Sequence, residues 1–411
     1  NKMKELVIST DVGFNGIKCV VGTPEMALFA LHIPDDIVNT TNLEMIGTLE
    51  NAANQQTIYI VEEKTNKKET YIVGKGAKEY MQGADVANEM KTTDFYAYDK
   101  TNEEESYRRF NSGLFKKVYL AAVYNVLDVL SNLEDYKDIF TSKDYKLHII
   151  IELPHAIVNE SGFRGVLTGN ITRLDDSLRF AKKTEDGTMT YRKLPEILEN
   201  AEVSFVSQVI SAIICELESD EQIKLPVFTL DCGGRTDGIA TVEKNYSVKK
   251  SAESNTDFAI ENINQKTYQD VLKIVGEDNK VSNLTEENIE EIAGSEDGKG
   301  VPYLNRNTKK KERINITEIY NKNVKEFAEN LFNYCMDNHM DDVAEANTIL
   351  VAGGAGHLYY DTLHKCFSKV LDNETKMLLA KGECNGHDFG AIYSVALGGY
   401  KTAAMELQQD N

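Results

Sequence analysis

Apolar and polar positions along this chain follow two periods. Leu6-Val-Ile-Ser-Thr10 and Ile17-Lys-Cys-Val-Val21 are short β-rich runs around a glycine turn, which predicts a hairpin over residues 4–22. Val227-Phe-Thr-Leu230 and the run from Ile239 repeat the arrangement in the second half. Tyr145 to Leu153 is a continuous apolar strand of the kind buried in a mixed sheet. Ala201 to Ser207 alternates like a strand, and Thr348 to Val351 is a short apolar one. Elsewhere the period lengthens. Behind a capping Ser112, residues Phe115, Val118/Tyr119, Ala122, Val126 and Leu130 predict a helix with one buried face. Helical spacing also marks Val209–Leu217, Phe258–Val275, Asn321–Met340 and His357–Phe367. The stretch from about 30 to 90 reads as a small insert around short strands (Gln56 to Val61, Glu69 to Val73), and the polar stretch 277–313 as surface loop.

At 411 residues, two domains are the natural expectation. Hydrophobic residues make up 41% and charged residues 27%, which fits an ordinary globular protein. Lys plus Arg number 45 against 66 Asp plus Glu, so the net charge is −21. Such a surface argues against direct binding to DNA or to an anionic membrane. The six cysteines form no CxxC pair and sit mostly in apolar runs, which suggests reduced, buried thiols and a cytoplasmic setting. No apolar run approaches the ~18 residues of a bilayer span, and no signal peptide is read ahead of Met3.

The turns carry the candidate chemistry. In the second hairpin a strand delivers Asp231, and Gly233, Gly234, Arg235 and Thr236 form the turn. Glycines there let backbone N–H groups approach an anion, and an Asp beside such a nest calls for an intervening cation. Mg²⁺-nucleotide satisfies both, although the same turn also serves as a plain hairpin connection. The first hairpin is a second copy, with Asp11, Gly13, Phe14, Asn15, Gly16 and Lys18, which suggests an internal duplication. A third element, strand Thr348–Val351 followed by Gly353, Gly354, Ala355 and Gly356 and then a helix, brings backbone close to a flat or anionic ligand group. Gly294 to Gly300 imitates a phosphate loop but has the wrong spacing and no Ser or Thr after Lys299. Gly74-Lys-Gly76 reads as a turn, and Lys309-Lys-Lys311 as a solvated face. His364 with Cys366 sits inside the predicted helix, and Cys384 with His387 has a spacing atypical of zinc ligands.

Together these elements resemble the phosphate-1, phosphate-2 and adenosine motifs of the actin, Hsp70 and sugar-kinase superfamily, and within it the bacterial actin-like proteins of the ParM type. Asp11, Gly13 and Lys18 fit the DxGxxxxK pattern, and the strand ending in Leu153-Pro154 and the helix around Tyr393–Tyr400 are similar too. Departures are Phe14 where Ser or Thr is common, Gly238 with Asp237 one place early, and Ala355 within the glycine run. The resemblance implies an α/β fold: a duplicated actin-like (RNase H-like) pair of domains, each with a five-stranded mixed sheet, around a central nucleotide cleft. Domain I would span 1–208 with the insert at about 30–90, and 386–411 would return to it. Domain II would span 209–385 with an insert at about 258–320. The implied activity is ATP or GTP hydrolysis coupled to the turnover of nucleotide-dependent filaments that segregate plasmid DNA through a basic adaptor protein. Asp11 and Asp231 would hold Mg²⁺, and Gln208 would position water, with Glu202 the second candidate and a plain helix-start role open for Gln208. The nucleoside would rest on Gly353 to Gly356. A sugar- or acetate-kinase-like phosphotransferase shares these motifs but needs a catalytic Asp that the sequence does not offer convincingly. An Hsp70-type protein would call for a long peptide-binding domain beyond Asn411.

Overall fold

The computed structural model describes residues 3–13, 16–41, 56–83, 107–155, 157–217, 223–276, 279, 281, 284–286 and 288–409. The chain divides into two compact units, residues 1–222 with 381–411 and residues 223–380.

In the first unit, strands β1 (Lys4–Val12), β2 (Ile17–Gly22) and β3 (Ala27–Ile33) form an antiparallel meander. A second, four-stranded sheet uses β4 (Ile37–Asn39), β5 (Thr57–Lys64) and β6 (Lys67–Gly74). Strand β7 (Tyr145–Leu153) pairs parallel with β1, β8 (Leu178–Ala181) joins the second sheet beside β5, and β9 (Glu202–Ser207) pairs parallel with β7. The main sheet therefore runs β3-β2-β1-β7-β9. Helices are α1 (Lys75–Gly83), α2 (Gly113–Ser131), α3 (Ser161–Thr172) and α4 (Gln208–Glu216).

The second unit repeats this plan. Strands β10 (Val227–Cys232), β11 (Asp237–Val242) and β12 (Glu253–Asn255) form the meander, and β15 (Thr348–Ala352) and β16 (Lys376–Leu379) add in parallel, giving β12-β11-β10-β15-β16. A separate hairpin, β13 (Val301–Asn305) and β14 (Lys310–Ile314), lies between them in sequence. Its helices are α5 (Ile260–Val275), α6 (Ile289–Gly294), α7 (Ile316–Asn338), α8 (Met340–Glu345) and α9 (Gly356–Phe367). The C-terminal helix α10 (Ser394–Gln409) returns to the first unit. Two sheets with the same order and the same mix of directions bear out the duplication expected from the paired hairpins.

β1 is buried without a break from Leu6 to Val12 because both its faces are covered. Leu6 and Ile8 join the cluster beneath α2, while Val7, with Val20 and Ile150, packs against Ala396, Leu397 and Tyr400 of α10. Ser112 caps α2 as expected, accepting from the N–H groups of Leu114 and Phe115 at 3.1 Å each. The expectation of a single buried face on α2 is corrected: Val118 to Leu127 are all buried, because the helix lies between the main sheet and the β5–β6 sheet.

Other boundaries move. β3 belongs to the main sheet, so the insert begins after Ile33, and it recruits Leu178–Ala181 from far along the chain. Residues 42–55 and 84–90 of that insert lie outside the described residues. Gly74, with φ of +87°, leads directly into α1 and is not a free-standing turn. The stretch 277–313 is not simply loop: α6 and β13–β14 occur there, and Val301, Tyr303 and Ile314 reach the unit's main core. That core also takes Ile260, Ile263, Val271 and Val275, so the 258–320 segment is integral to the second unit. The division falls at 222/223 and 380/381, where 208/209 and 385/386 are expected, because α4 packs against α10 within the first unit.

That packing is close enough to require glycine. A Cβ on Gly398 would overlap the carbonyl oxygen of Ser211, and one on Gly399 would overlap the Glu152 carboxyl. Gly398→Ala is expected to lower the stability of the first unit by about 1–3 kcal/mol or more, since neither backbone can yield without opening the interface between α10 and α4. Urea unfolding of the variant against wild type measures this.

Candidate functional site

The end of β1 delivers Asp11 to the first loop with 4% of its surface exposed. Two partners hold it. Lys18, its cross-strand neighbour on β2, places Nζ 3.2 Å from Oδ2. Gln208, the first residue of α4, donates from Nε2 to Oδ1 at 2.8 Å. The amide thus spends a donor on the acid and keeps its carbonyl oxygen as an acceptor. Gly16 has φ of +136°, and a Cβ there would overlap the His32 ring and the Ile33 carbonyl, so the turn demands glycine. Gly13 lies at the mouth of the same turn, while Phe14 and Asn15 lie outside the described residues.

Two further residues flank this loop, and neither stands out in the sequence. Glu152 on β7 stands opposite Asp11 in the parallel register and is fully buried, with Ser9 Oγ donating to its Oε1 at 2.7 Å. Burial, reinforced by the Asp11 charge, raises its pKa well above the usual carboxylate range. A lone acid inside His148-Ile-Ile-Ile-Glu-Leu153 is the available signal. Arg109, with 3% exposure, donates from Nη2 to the Val12 carbonyl at 3.0 Å and from Nη1 to the Gly13 carbonyl at 3.3 Å. His155 places Nδ1 3.3 Å from Ser207 Oγ, and burial lowers its pKa. Glu202 sits at the far end of β9, about 17 Å along the strand from Ser207, the residue before Gln208, paired with Lys146 at 2.7 Å and His148 at 3.1 Å. That position removes it from the first loop.

In the second unit the turn 233–236 is tight: a Cβ on Gly233 would overlap the Thr236 carbonyl oxygen. The start of α5 closes the loop from below, with the Glu261 N–H donating to the Gly234 carbonyl at 3.0 Å and the Ile260 N–H to the Gly233 carbonyl at 3.3 Å. Arg235 turns back to Glu261 at 3.3 Å. Asp237 is buried at 1% exposure and accepts from the Gly233 N–H at 3.0 Å, so it fixes the turn from inside.

The glycine loop after β15 meets the same turn. Gly353 has φ of +82°, and a Cβ there would lie 2.5 Å from Asp231 Oδ1. The Ala355 N–H donates to the Cys232 carbonyl at 2.9 Å, and the Ala355 side chain is buried in the core. Gly356 is buried too, facing Val351 and Leu379. Of the three glycines in this loop, only Gly354 has nothing within 4 Å of its Cβ position. The structure therefore brings Asp231, Gly233, Gly234 and Gly353–Gly356 together in one unit, and Asp11, Gly13, Gly16, Lys18 and Gln208 together in the other.

The remaining sequence features are absorbed by packing. Gly298 of the imitation phosphate loop is buried where a Cβ would overlap the Ile292 carbonyl. None of the six cysteines is in a disulfide; five are buried and Cys366 is half-buried. Among the described residues no three His, Cys, Asp or Glu side chains cluster as a metal cage, and no helix is long and apolar enough to cross a membrane.

No family model matches this chain, and no curated relative does. Solved structures do. The fold these elements define is the two-domain actin-like fold, seen in an archaeal actin homologue that is 13% identical with a TM-score of 0.57, over 98% of this chain and 99% of that one. ParM structures share it: a 15-stranded ParM filament from Clostridium botulinum (17% identity, 98% and 100% coverage, TM-score 0.61) and Bacillus thuringiensis ParM with ATP (15% identity, 100% and 100% coverage, TM-score 0.58). At such identities the likeness establishes the fold.

Burial raises the Asp237 pKa well above its ordinary value, with the Asp231 charge adding to the effect. A carboxyl whose folded pKa exceeds its unfolded one takes up a proton on folding. Its contribution to stability is complete below the unfolded pKa of about 4 and is lost as pH rises toward the folded value. Asp237→Asn keeps an acceptor for Gly233 and removes the titration. Its melting temperature relative to wild type should therefore climb by roughly 2 °C or more between about pH 5 and about pH 8. Thermal unfolding of the nucleotide-free protein at several pH values checks the sign.

Proposed function

We propose that this chain is a nucleotide-dependent, self-assembling actin-like ATPase of the ParM type. The observation that carries the reading is the first loop, where a strand-end Asp11 is held at once by Lys18 and by the Gln208 amide beside a glycine turn. A carboxylate, a cation and an oriented neutral amide are the parts that phosphoryl transfer to water calls for. A polyphosphate at Gly13 and Gly16 would compete with Asp11 for Lys18, moving the ammonium onto developing phosphate charge. Gln208, its NH₂ group held by Asp11, would offer Oε1 to a proton of the attacking water. An amide is a poor general base, so its part is orientation, and turnover should be slow.

Asp11 on the first unit and Asp231 on the second are the proposed Mg²⁺ carboxylates. Single carboxylates beside glycine turns suit an ion that keeps its waters and leans on substrate phosphates. When bound, Mg²⁺ offsets the repulsion between acid and polyphosphate. Gly233 and Gly234 would take phosphate, with Arg235 released from Glu261 to join them and Thr236 beside them. Gly353 to Gly356 would carry the nucleoside, which is ATP or GTP, at the open position of Gly354.

Filament formation and plasmid segregation are drawn from the ParM likeness. The Clostridium botulinum ParM forms a 15-stranded filament, and the Bacillus thuringiensis ParM is seen with ATP. With a net charge of −21, contact with DNA would run through a basic adaptor protein. Nucleotide would favour assembly only by binding the assembling conformation better than the other.

Removing Mg²⁺ with EDTA should abolish hydrolysis, and Asp231→Ala should reduce it strongly; wild-type turnover in that variant would overturn the metal assignment. Sedimentation and negative-stain microscopy with a non-hydrolysable Mg-nucleotide analogue should show filaments, with few in its absence. Monomer at every protein and salt concentration would instead favour a kinase-like phosphotransferase. Gln208→Ala should hydrolyse about 10²-fold more slowly at near-normal nucleotide affinity and form longer-lived polymers. Joint loss of binding and hydrolysis would make Gln208 structural.

A further inference from the structure

We propose that Arg109 is a positioning residue for the first phosphate loop, setting the direction of its backbone; the proposal rests on the nucleotide reading above. The guanidinium is buried, and it spends its fork on main-chain oxygens, Nη2 on Val12 and Nη1 on Gly13. In a planar trans peptide the C=O and N–H point to opposite sides. Drawing the Val12 carbonyl toward Arg109 therefore turns the Gly13 N–H away from it. An outward N–H at the first glycine of such a loop is the group that meets an anion. The buried positive charge behind the loop acts in the same sense, favouring polyphosphate over a neutral ligand.

Arg109 itself is firmly held. Its carbonyl accepts from the Ser112 N–H at 3.0 Å, and Ser112 is the N-cap of α2. Its guanidinium carbon lies 4.7 Å from the Phe110 ring centroid and 5.9 Å from that of Phe115, so aromatic rings pack against the guanidinium. Asp35, in the link from β3 to the second sheet, stands 3.9 Å from Nη1. This carboxylate balances part of the charge. Lysine could supply the charge but not two planar donors in a fixed geometry.

Calorimetric titration of the full-length chain with Mg-ATP and with AMP tests the assignment, using wild type, Arg109→Gln and Arg109→Lys. Wild type should prefer ATP. Arg109→Gln should lose at least about tenfold in ATP affinity, the size expected for lost charge-assisted hydrogen bonds, while AMP affinity stays within about twofold. Arg109→Lys should also lose ATP affinity although its charge is kept. Equal losses for ATP and AMP, or an ATP preference preserved in both variants, overturn this inference alone. A wild-type protein with no preference for ATP overturns the nucleotide reading and this inference with it. Should Arg109→Gln not fold, Arg109→Lys decides on the same ratio.

Discussion

The parallel register of three strands fixes what the first loop can be. Lys4–Val12 pairs with Tyr145–Leu153 so that Asp11 stands opposite Glu152, and the latter strand pairs with Glu202–Ser207 so that Ser207 stands opposite Leu153. Helix α4 then begins immediately, and its first side chain, Gln208, reaches Asp11. A slip of one residue in either pairing would turn Asp11 or Glu152 to the opposite face and separate the amide from the acid. Covering both faces of β1, by α2 on one side and α10 on the other, is what makes such a slip costly.

Two carboxyls on neighbouring strands next to the loop pose an electrostatic problem, and the structure solves it by treating them differently. Asp11 keeps Lys18 and Gln208. Glu152 is sealed beneath α10, where burial and the Asp11 charge favour its protonated form. Gly399 allows that seal, because any side chain there would occupy the position of the Glu152 carboxyl. Gly399 in this helix thus answers to an acid on the strand it covers, and its neighbour Gly398 to the Ser211 carbonyl of α4.

How much of this was legible in the sequence follows from the range of the interactions. Both hairpins and their glycines were readable, since strand period and turn chemistry are local. So was Gln208 as the start of a helix. Arg109 was not: its partners are backbone carbonyls 96 and 97 residues away, which leave no mark on side-chain pattern. Helix α2 showed stepwise apolar positions but not that a second sheet would bury its other side. Hairpin β13–β14 was missed because Val301, Tyr303 and Ile314 alternate with exposed Pro302, Leu304 and Arg313, so the apolar run is too broken to register. Ala355 looked like part of a ligand-facing glycine loop, yet its methyl group fills core and its N–H ties the end of β15 to β10.

The two halves share topology but not charge, and the difference can be read position by position. Asp11 faces Lys18 across its hairpin, while Asp231 faces Gly238. Val12 faces Ile17, while Cys232 faces Asp237, so the second loop spends its neighbouring polar residue inside the turn, on the Gly233 N–H. Along the parallel pairing, Asp11 stands beside Glu152 and Asp231 beside Ala352. A small residue there is followed by Gly353, which brings backbone within close reach of the Asp231 carboxylate. The first copy thus gathers a cation, an acid and an oriented amide. In the second, the same strands hold an acid among backbone groups, with the glycine loop packed against it. Two equal loops would have made two equivalent phosphate sites. On the proposed reading, Gly in place of Lys and Ala in place of Glu in one copy leave the cation and the oriented amide to the first unit, while the second supplies Asp231 and the backbone that holds the nucleotide.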